Sequence, residues 1–140
     1  MAKTFQVHIL AADRPFYVGP CESVILPTVD GSYGILADHS NMIAAVVPGE
    51  LVYRIPGKSD KTVAVSGGMV KVEDNDVLIL VDSAVRPEDV DVQRNLRKVA
   101  AAREAIAQKK SRQDFLSAQA ALARAASRLR VREHYDGDHH

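Results

Sequence analysis

Glycine and proline stop at one point in this chain, and no other feature limits its possible folds as strongly. Seven of eight glycines and five of six prolines precede position 87, Pro87 is the sixth proline, and residues 88–136 contain neither. Helix interiors exclude both residues, whereas short strands joined by tight turns use them as punctuation. Charge divides at the same place. Residues 1–86 carry seven Lys and Arg against ten Asp and Glu, a net of −3, and residues 87–140 carry eleven against eight, a net of +3. Two parts are therefore predicted, 1–86 and 87–140, in a chain whose 140 residues suit one core with an appendage.

The first part reads as short strands. Phe5, Val7 and Ile9 alternate with Gln6 and His8, the period of a half-buried strand. Similar runs fall at 23–26, 33–36, 42–47, 51–55, 62–65, 69–72 and 77–81, parted by Pro48-Gly49, Pro56-Gly57-Lys58, Ser66-Gly67-Gly68 and Asp74-Asn75-Asp76. Many short strands at this spacing predict an antiparallel sandwich or barrel, and the lack of helix-length crossovers argues against a parallel sheet. The run 77–81 is apolar on both faces, which predicts the best-buried strand. Ser66-Gly67-Gly68 reads as a hairpin turn.

The second part reads as two helices. Pro87 with Glu88, Asp89 and Asp91 is a helix-start signature, since proline presets φ and carboxylates face the positive end of the helix dipole. Val92, Leu96, Val99, Ala102 and Ile106 form one apolar stripe, and Lys109-Lys110 suit a helix C-terminus. Ser111 to Asp114 resembles a capping box, and Phe115, Ala118, Leu122, Ala125 and Leu129 form the second stripe. The short connection predicts an antiparallel hairpin with helices of about 20 residues, roughly 30 Å each. Eleven alanines between 88 and 136 make its seam narrow and weakly held, so that the hairpin can open or redock.

Catalytic patterns are sparse. Asp38, His39 and His8 lack the spacing of a metal site, and His8 reads as the polar face of an edge strand. Ser66-Gly67-Gly68 is not a nucleophile elbow, and Cys21, with no nearby base, reads as a packing residue. A lone cysteine fits a reducing compartment. No signal peptide or bilayer-length apolar run is visible, and zero net charge removes the general argument for nucleic acid. The segment 109–133, with seven basic and two acidic residues, offers Arg124 and Arg128 at i,i+4 for phosphate or an acidic partner. A solvated face is the alternative reading.

Four stretches in order resemble the epsilon subunit of the F-type ATP synthase: 31–39 (Gly-Ser-Tyr-Gly-Ile-Leu-Ala-Asp-His), Pro48-Gly49, Ser66 to Val72, and Ala125 to Val131. The resemblance spans about Phe5 to Val131. It implies an N-terminal antiparallel β-sandwich of about ten short strands followed by a C-terminal antiparallel α-helical hairpin. It further implies a non-catalytic central-stalk subunit of a proton- or sodium-translocating enzyme, peripheral on the cytoplasmic face of the membrane. The implied partners are a gamma subunit, the ring of c subunits and, in an extended state that inhibits ATP hydrolysis, the catalytic alpha/beta head. No cofactor is required.

Ser32 and His39 fall on the side that would face the c-ring. Ser32 replaces the glutamate usual there, which shifts the expected contact to Asp30 or Asp38, and Ala37-Asp38 replaces Pro-Gly. Some bacterial members bind ATP through an Ile/Leu-Asp-x-x-Arg-Ala motif. The matching run is Val90-Asp91-Val92-Gln93-Arg94-Asn95, with Asp91 and Arg94 kept and Asn95 in place of alanine. Arg124 and Arg128 stand where second-helix arginines would complete that site, with ATP as a regulatory ligand. Two other classes remain open here: a free-standing nucleotide sensor built on the hairpin, and a β-sandwich enzyme using His39 or Cys21.

Overall fold

The computed structural model describes residues 3–108 and 111–138, the side chain of residue 138 apart. Ten strands precede two helices. The strands are β1 (Phe5–Ala11), β2 (Arg14–Cys21), β3 (Ser23–Thr28), β4 (Gly31–Leu36), β5 (Met42–Val46), β6 (Gly49–Arg54), β7 (Lys61–Val65), β8 (Gly68–Glu73), β9 (Asp76–Val81) and β10 (Ala84–Val85). A 3-10 turn at Pro87–Asp89 leads to α1 (Val92–Gln108) and α2 (Arg112–Asp138). Two five-stranded sheets, ordered β2-β1-β9-β8-β5 and β10-β7-β6-β3-β4, face each other as a sandwich. Their inward rows, including Val7, Ile9, Val24, Leu26, Ile35, Leu51, Val63, Val70 and Ile79, are fully buried and form the core. Alternation along β1 sends Phe5, Val7 and Ile9 into that core.

Four expectations are corrected by the tertiary arrangement. The strand β2 was hidden by Pro15, Gly19 and Pro20, which an edge strand tolerates because one side makes no ladder bonds. Beside it β1 is interior, not an edge, and pairs in parallel with β9. The strand β9 buries Val77, Ile79 and Val81 but leaves Leu80 of its other face exposed, whereas β7 buries the consecutive Val63, Ala64 and Val65 on both faces, with α2 packed alongside. Ser66-Gly67 is no hairpin turn, since β7 and β8 lie in different sheets and the chain crosses between them. A Cβ on Gly68 would collide with the Leu80 carbonyl. The true hairpin is Asp74-Asn75, with φ of 51° and 64°, a two-residue turn whose positive φ values match strand twist.

The helical hairpin also differs in detail. Pro87, Glu88 and Asp89 form a single 3-10 turn, and Val90, extended and buried, separates it from α1. Asp91 starts α1 by accepting the Arg94 backbone N–H on Oδ1 at 2.9 Å. Ser111 starts α2 in the same way, its Oγ accepting the Asp114 N–H at 3.0 Å. Lys109 and Lys110, expected at the end of α1, lie outside the described residues. The helices are unequal, at 17 and 27 residues, so α2 alone extends over β6, β7 and the 3-10 turn. In α1 the seam takes Asn95 and Ala102, both buried, while Leu96 is 48% exposed. Three-four spacing through Val92, Asn95, Val99 and Ala102 keeps one face toward α2, and Leu96 falls off it. On α2, Ala118 and Ala125 are buried as the stripe predicts, Phe115 is exposed, and Ser127 and Val131 add a second buried face.

Candidate functional site

The hairpin gathers cations. Arg94 of α1 and Arg124 and Arg128 of α2 all lie close enough to Lys98 to lower its pKa, after the larger effect of desolvation, while Asp91 acts oppositely. Burial, then Arg124 and Arg94, likewise lowers the pKa of Arg128. Among the described residues none of these four cations forms an ion pair within 4 Å. Mutually repelling cations without a fixed counter-ion favour an anion. A groove of about 630 Å³ runs between the helices, with Lys98, Arg124 and Arg128 at its wall and Ala101, Ala102 and Ala118 among its lining. Asp91 and Arg94 sit near those cations but do not line the groove, and the Asp91 carboxylate already caps α1. Lys98 was missed in the sequence because its relation to Arg124 and Arg128 exists only across the hairpin.

The same helix holds the hairpin against the sandwich. Arg128 Nη2 donates to Ser83 Oγ at 3.2 Å, and Ser83 bonds to buried Ser66, whose Oγ accepts the Ser83 N–H at 2.7 Å. Arg132 Nη1 donates to the carbonyls of Pro87 and Glu88, both at 3.3 Å, and His134 Nδ1 meets Glu50 Oε2 at 3.2 Å. Beneath these, Val131 and Ser127 are buried, but Ser127 Oγ and Asn95 Oδ1 have no hydrogen-bond partner among the described residues. The docked hairpin thus combines part-buried polar bonds to the sandwich with two buried polar atoms left unpaired, Ser127 Oγ on α2 and Asn95 Oδ1 in the α1–α2 seam. Each such atom costs about 1–3 kcal/mol, so docking is weak for its extent.

At the opposite region, Ser32 is exposed on β4 opposite Pro27 of β3. His39 Nδ1 lies 2.7 Å from the Ser40 carbonyl, to which it donates, and Nε2 lies 2.8 Å from the Tyr33 hydroxyl. His39 is accordingly a loop organiser, engaged at both nitrogens. Asp38 adopts φ of 64°, the conformation a glycine would take there, and its N–H donates to Asn75 Oδ1 at 2.8 Å. Its carboxylate meets Lys3 at 3.4 Å. Nearby, Val29 and Leu36 are 80% and 64% exposed.

A second surface escaped the sequence reading. Register places Leu10, Leu80, Met69 and Ala45 in one row across the outer face of the β2-β1-β9-β8-β5 sheet. The next row runs through Val18, His8, Leu78, Lys71 and Ile43. Ile43 is 70% exposed, and no helix covers this face. The face is apolar along its first row and mixed along its second, where His8 and Lys71 interrupt Val18, Leu78 and Ile43, and an uncovered sheet face of this kind is suited to assembly.

The enzymatic candidates are occupied otherwise. Cys21 is fully buried, and its thiol is pushed up to about 11, chiefly by burial, so it is no nucleophile at neutral pH. His8 meets Asp76 at 3.3 Å on the outer sheet face. Among the described residues no group of three or more His, Cys, Asp or Glu side chains gathers as a metal site, and no helix is long and apolar enough to cross a membrane.

Comparisons with known proteins add an independent line. The family model described as "ATP synthase, Delta/Epsilon chain, beta-sandwich domain" matches residues 4–87, and that of the "long alpha-helix domain" matches residues 88–133. The chain is 37% identical over 134 residues to the ATP synthase epsilon chain of Thioalkalivibrio sulfidiphilus, covering 95% of each. It is 37% identical over 136 residues to that of Caldanaerobacter subterraneus subsp. tengcongensis, covering 96% of this chain and 98% of the relative. A chain of the Euglena gracilis mitochondrial ATP synthase structure superposes with a TM-score of 0.78 at 22% identity, covering 89% of this chain and 78% of that one. At that identity the likeness is one of fold.

Proposed function

The chain belongs to the ATP synthase delta/epsilon family, and on that premise we propose that it is the epsilon subunit of an F-type ATP synthase, a non-catalytic part of the central stalk. Similarity over nearly the whole chain, both parts included, carries this reading. The uncovered outer face of the β2-β1-β9-β8-β5 sheet is suited to a gamma subunit, and the region of Val29, Ser32 and His39 to the c-ring. Asp30, exposed on the turn that leads into β4 two residues before Ser32, can supply the acidic contact that Ser32 lacks. Asp38 is less free to do so because Lys3 meets its carboxylate. The subunit would sit peripherally on the cytoplasmic face of the membrane, through the complex. The coupling ion is a proton or sodium.

The hairpin is the regulatory part of this reading. Its docked form is held by Arg128, Arg132 and His134, and releasing α2 would free basic side chains to meet acidic segments of the catalytic head. Removing residues 87–140 is expected to leave binding to gamma largely intact and to change ATP hydrolysis by the complex. An unchanged hydrolysis rate would count against a regulatory hairpin, while failure to co-purify with a gamma-like subunit would count against the stalk role.

The cations Arg94, Lys98, Arg124 and Arg128, which form no ion pair among the described residues, favour a second feature, ATP bound on the hairpin as a regulatory ligand. Calorimetry with Mg-ATP tests it. Binding weakened by Arg124→Ala with Arg128→Ala is expected, and no heat up to millimolar ligand would refute it.

A further inference from the structure

Between the sandwich and the C-terminal part of α2 lies a cavity of about 480 Å³ that neither the stalk contacts nor the cation cluster uses. Its inner wall is aromatic. Tyr17 and Tyr53 stack with centroids 5.4 Å apart and planes at 30°, and Phe16 meets Tyr53 edge-on at 6.5 Å. Val131 and Tyr135 of α2 and Pro87 of the linker close the other side. Four of the chain's seven Phe and Tyr rings therefore surround one space.

Polar groups also converge there. Tyr53 as a whole is 6% exposed and lines the cavity, with its hydroxyl accessible to that space rather than among the fully buried polar atoms. Burial raises its pKa, which keeps the hydroxyl protonated as a donor. Lys61 lines the cavity and forms no ion pair among the described residues. Arg86 adds positive charge from above the Phe16 ring, 5.1 Å from its centroid. Of the two lining carboxylates, Asp60 is already neutralised by Arg54 at 2.7 Å, leaving Glu88 against two cations.

We propose that this cavity binds a flat aromatic monoanion, its ring continuing the Tyr17–Tyr53 stack and its carboxylate held by Lys61 and the Tyr53 hydroxyl. The volume lies within the usual range of small-molecule sites, which occur preferentially where two parts of a protein meet. Stacking in offset geometry, a lysine ammonium and a hydroxyl donor are what such a ligand recognises. Because the sandwich provides the wall and α2 the cover, the complete site exists only while the hairpin is docked. A ligand at about ten times its Kd would raise the docked population roughly elevenfold relative to the undocked one. That consequence rests on the regulatory hairpin of the proposed function, but binding itself does not.

The chain contains no tryptophan, so indole emission comes from the probe alone, and its anisotropy separates bound from free. Indole-3-acetate titrated with the full chain should show saturable one-to-one binding by fluorescence anisotropy, with Kd below about 1 mM. Lys61→Gln, at an exposed position, should weaken it about tenfold, and Tyr53→Phe about threefold or more. The bound probe should also slow amide exchange in the second half of α2. Absence of saturation, a Kd unchanged in both variants, or binding that leaves α2 exchange unaltered would each overturn the proposal. All three readouts use the isolated chain, so they stand apart from any failure of stalk assembly or inhibition.

Discussion

Replacing Asn95 with alanine should tighten the hairpin, although it deletes a hydrogen bond. Asn95 is 5% exposed in the α1 seam. Its Nδ2 donates to the Asp91 carbonyl at 2.8 Å, but that carbonyl also accepts the Asn95 backbone N–H at 3.0 Å and stays satisfied without the side chain. The lost bond costs about 1 kcal/mol, while removing the unpaired buried Oδ1 recovers about 1–3 kcal/mol. Alanine adds up to about 0.7 kcal/mol of helix propensity. Fewer packing contacts offset part of this, leaving a net gain of about 1 kcal/mol. Amide exchange in α1 should therefore slow about fivefold, whereas amides of β1 and β9, which open only with the sandwich, should not change. Faster exchange in α1 would refute the reasoning, because it would mean that the Oδ1 atom is not an unpaired burden on the docked state.

Gly68→Ala should lower the urea midpoint of the sandwich by an amount equivalent to about 3 kcal/mol, because its Cβ meets the backbone of Leu80 rather than a movable side chain. A midpoint near wild type would remove the close crossing as the reason for glycine. Asp91→Ala should cost the hairpin about 1 kcal/mol through loss of its cap, whereas Asp91→Ser, which can still cap, should cost only a few tenths in the same exchange measurement. Alkaline pH should destabilise the fold. The Cys21 thiol, ordinarily at 9.0, rises to about 11 in the folded chain, and burial raises Tyr17 and Tyr53 in the same direction. These groups hold their protons longer when folded, so the Cys21 contribution is complete below pH 9.0 and is lost as pH rises through about 11, with the two tyrosines acting in the same direction. A urea midpoint that stays flat from pH 8 to beyond 10 would contradict this.

Much of the architecture was legible because it depends on local chemistry. A period of two sends alternate side chains to one sheet face, and a segment without glycine or proline propagates as helix, so the boundary at Pro87 could be read directly. Ser111 could be found as a helix-start residue for the same reason, since a cap acts within three residues, whereas Asp91 reads in the sequence only as a carboxylate of a turn beginning at Pro87 and is in the structure the cap itself. The strand β2 could not, because Pro15 and Pro20 are acceptable only at a sheet edge, and edge position is not a local property.

The amino-acid order by itself determined the two-part chain, the strand faces, the start of α2 and the family resemblance. Only tertiary packing decided that Ser66-Gly67 crosses between sheets, that Asn95 rather than Leu96 enters the seam, and that Lys98 joins Arg124 and Arg128. It also decided that Phe16, Tyr53 and Tyr135, far apart in the chain, share one cavity. The division has one physical cause. Backbone conformation responds to neighbours a few residues away, whereas burial, charge clustering and cavities arise where distant segments are brought together by the core.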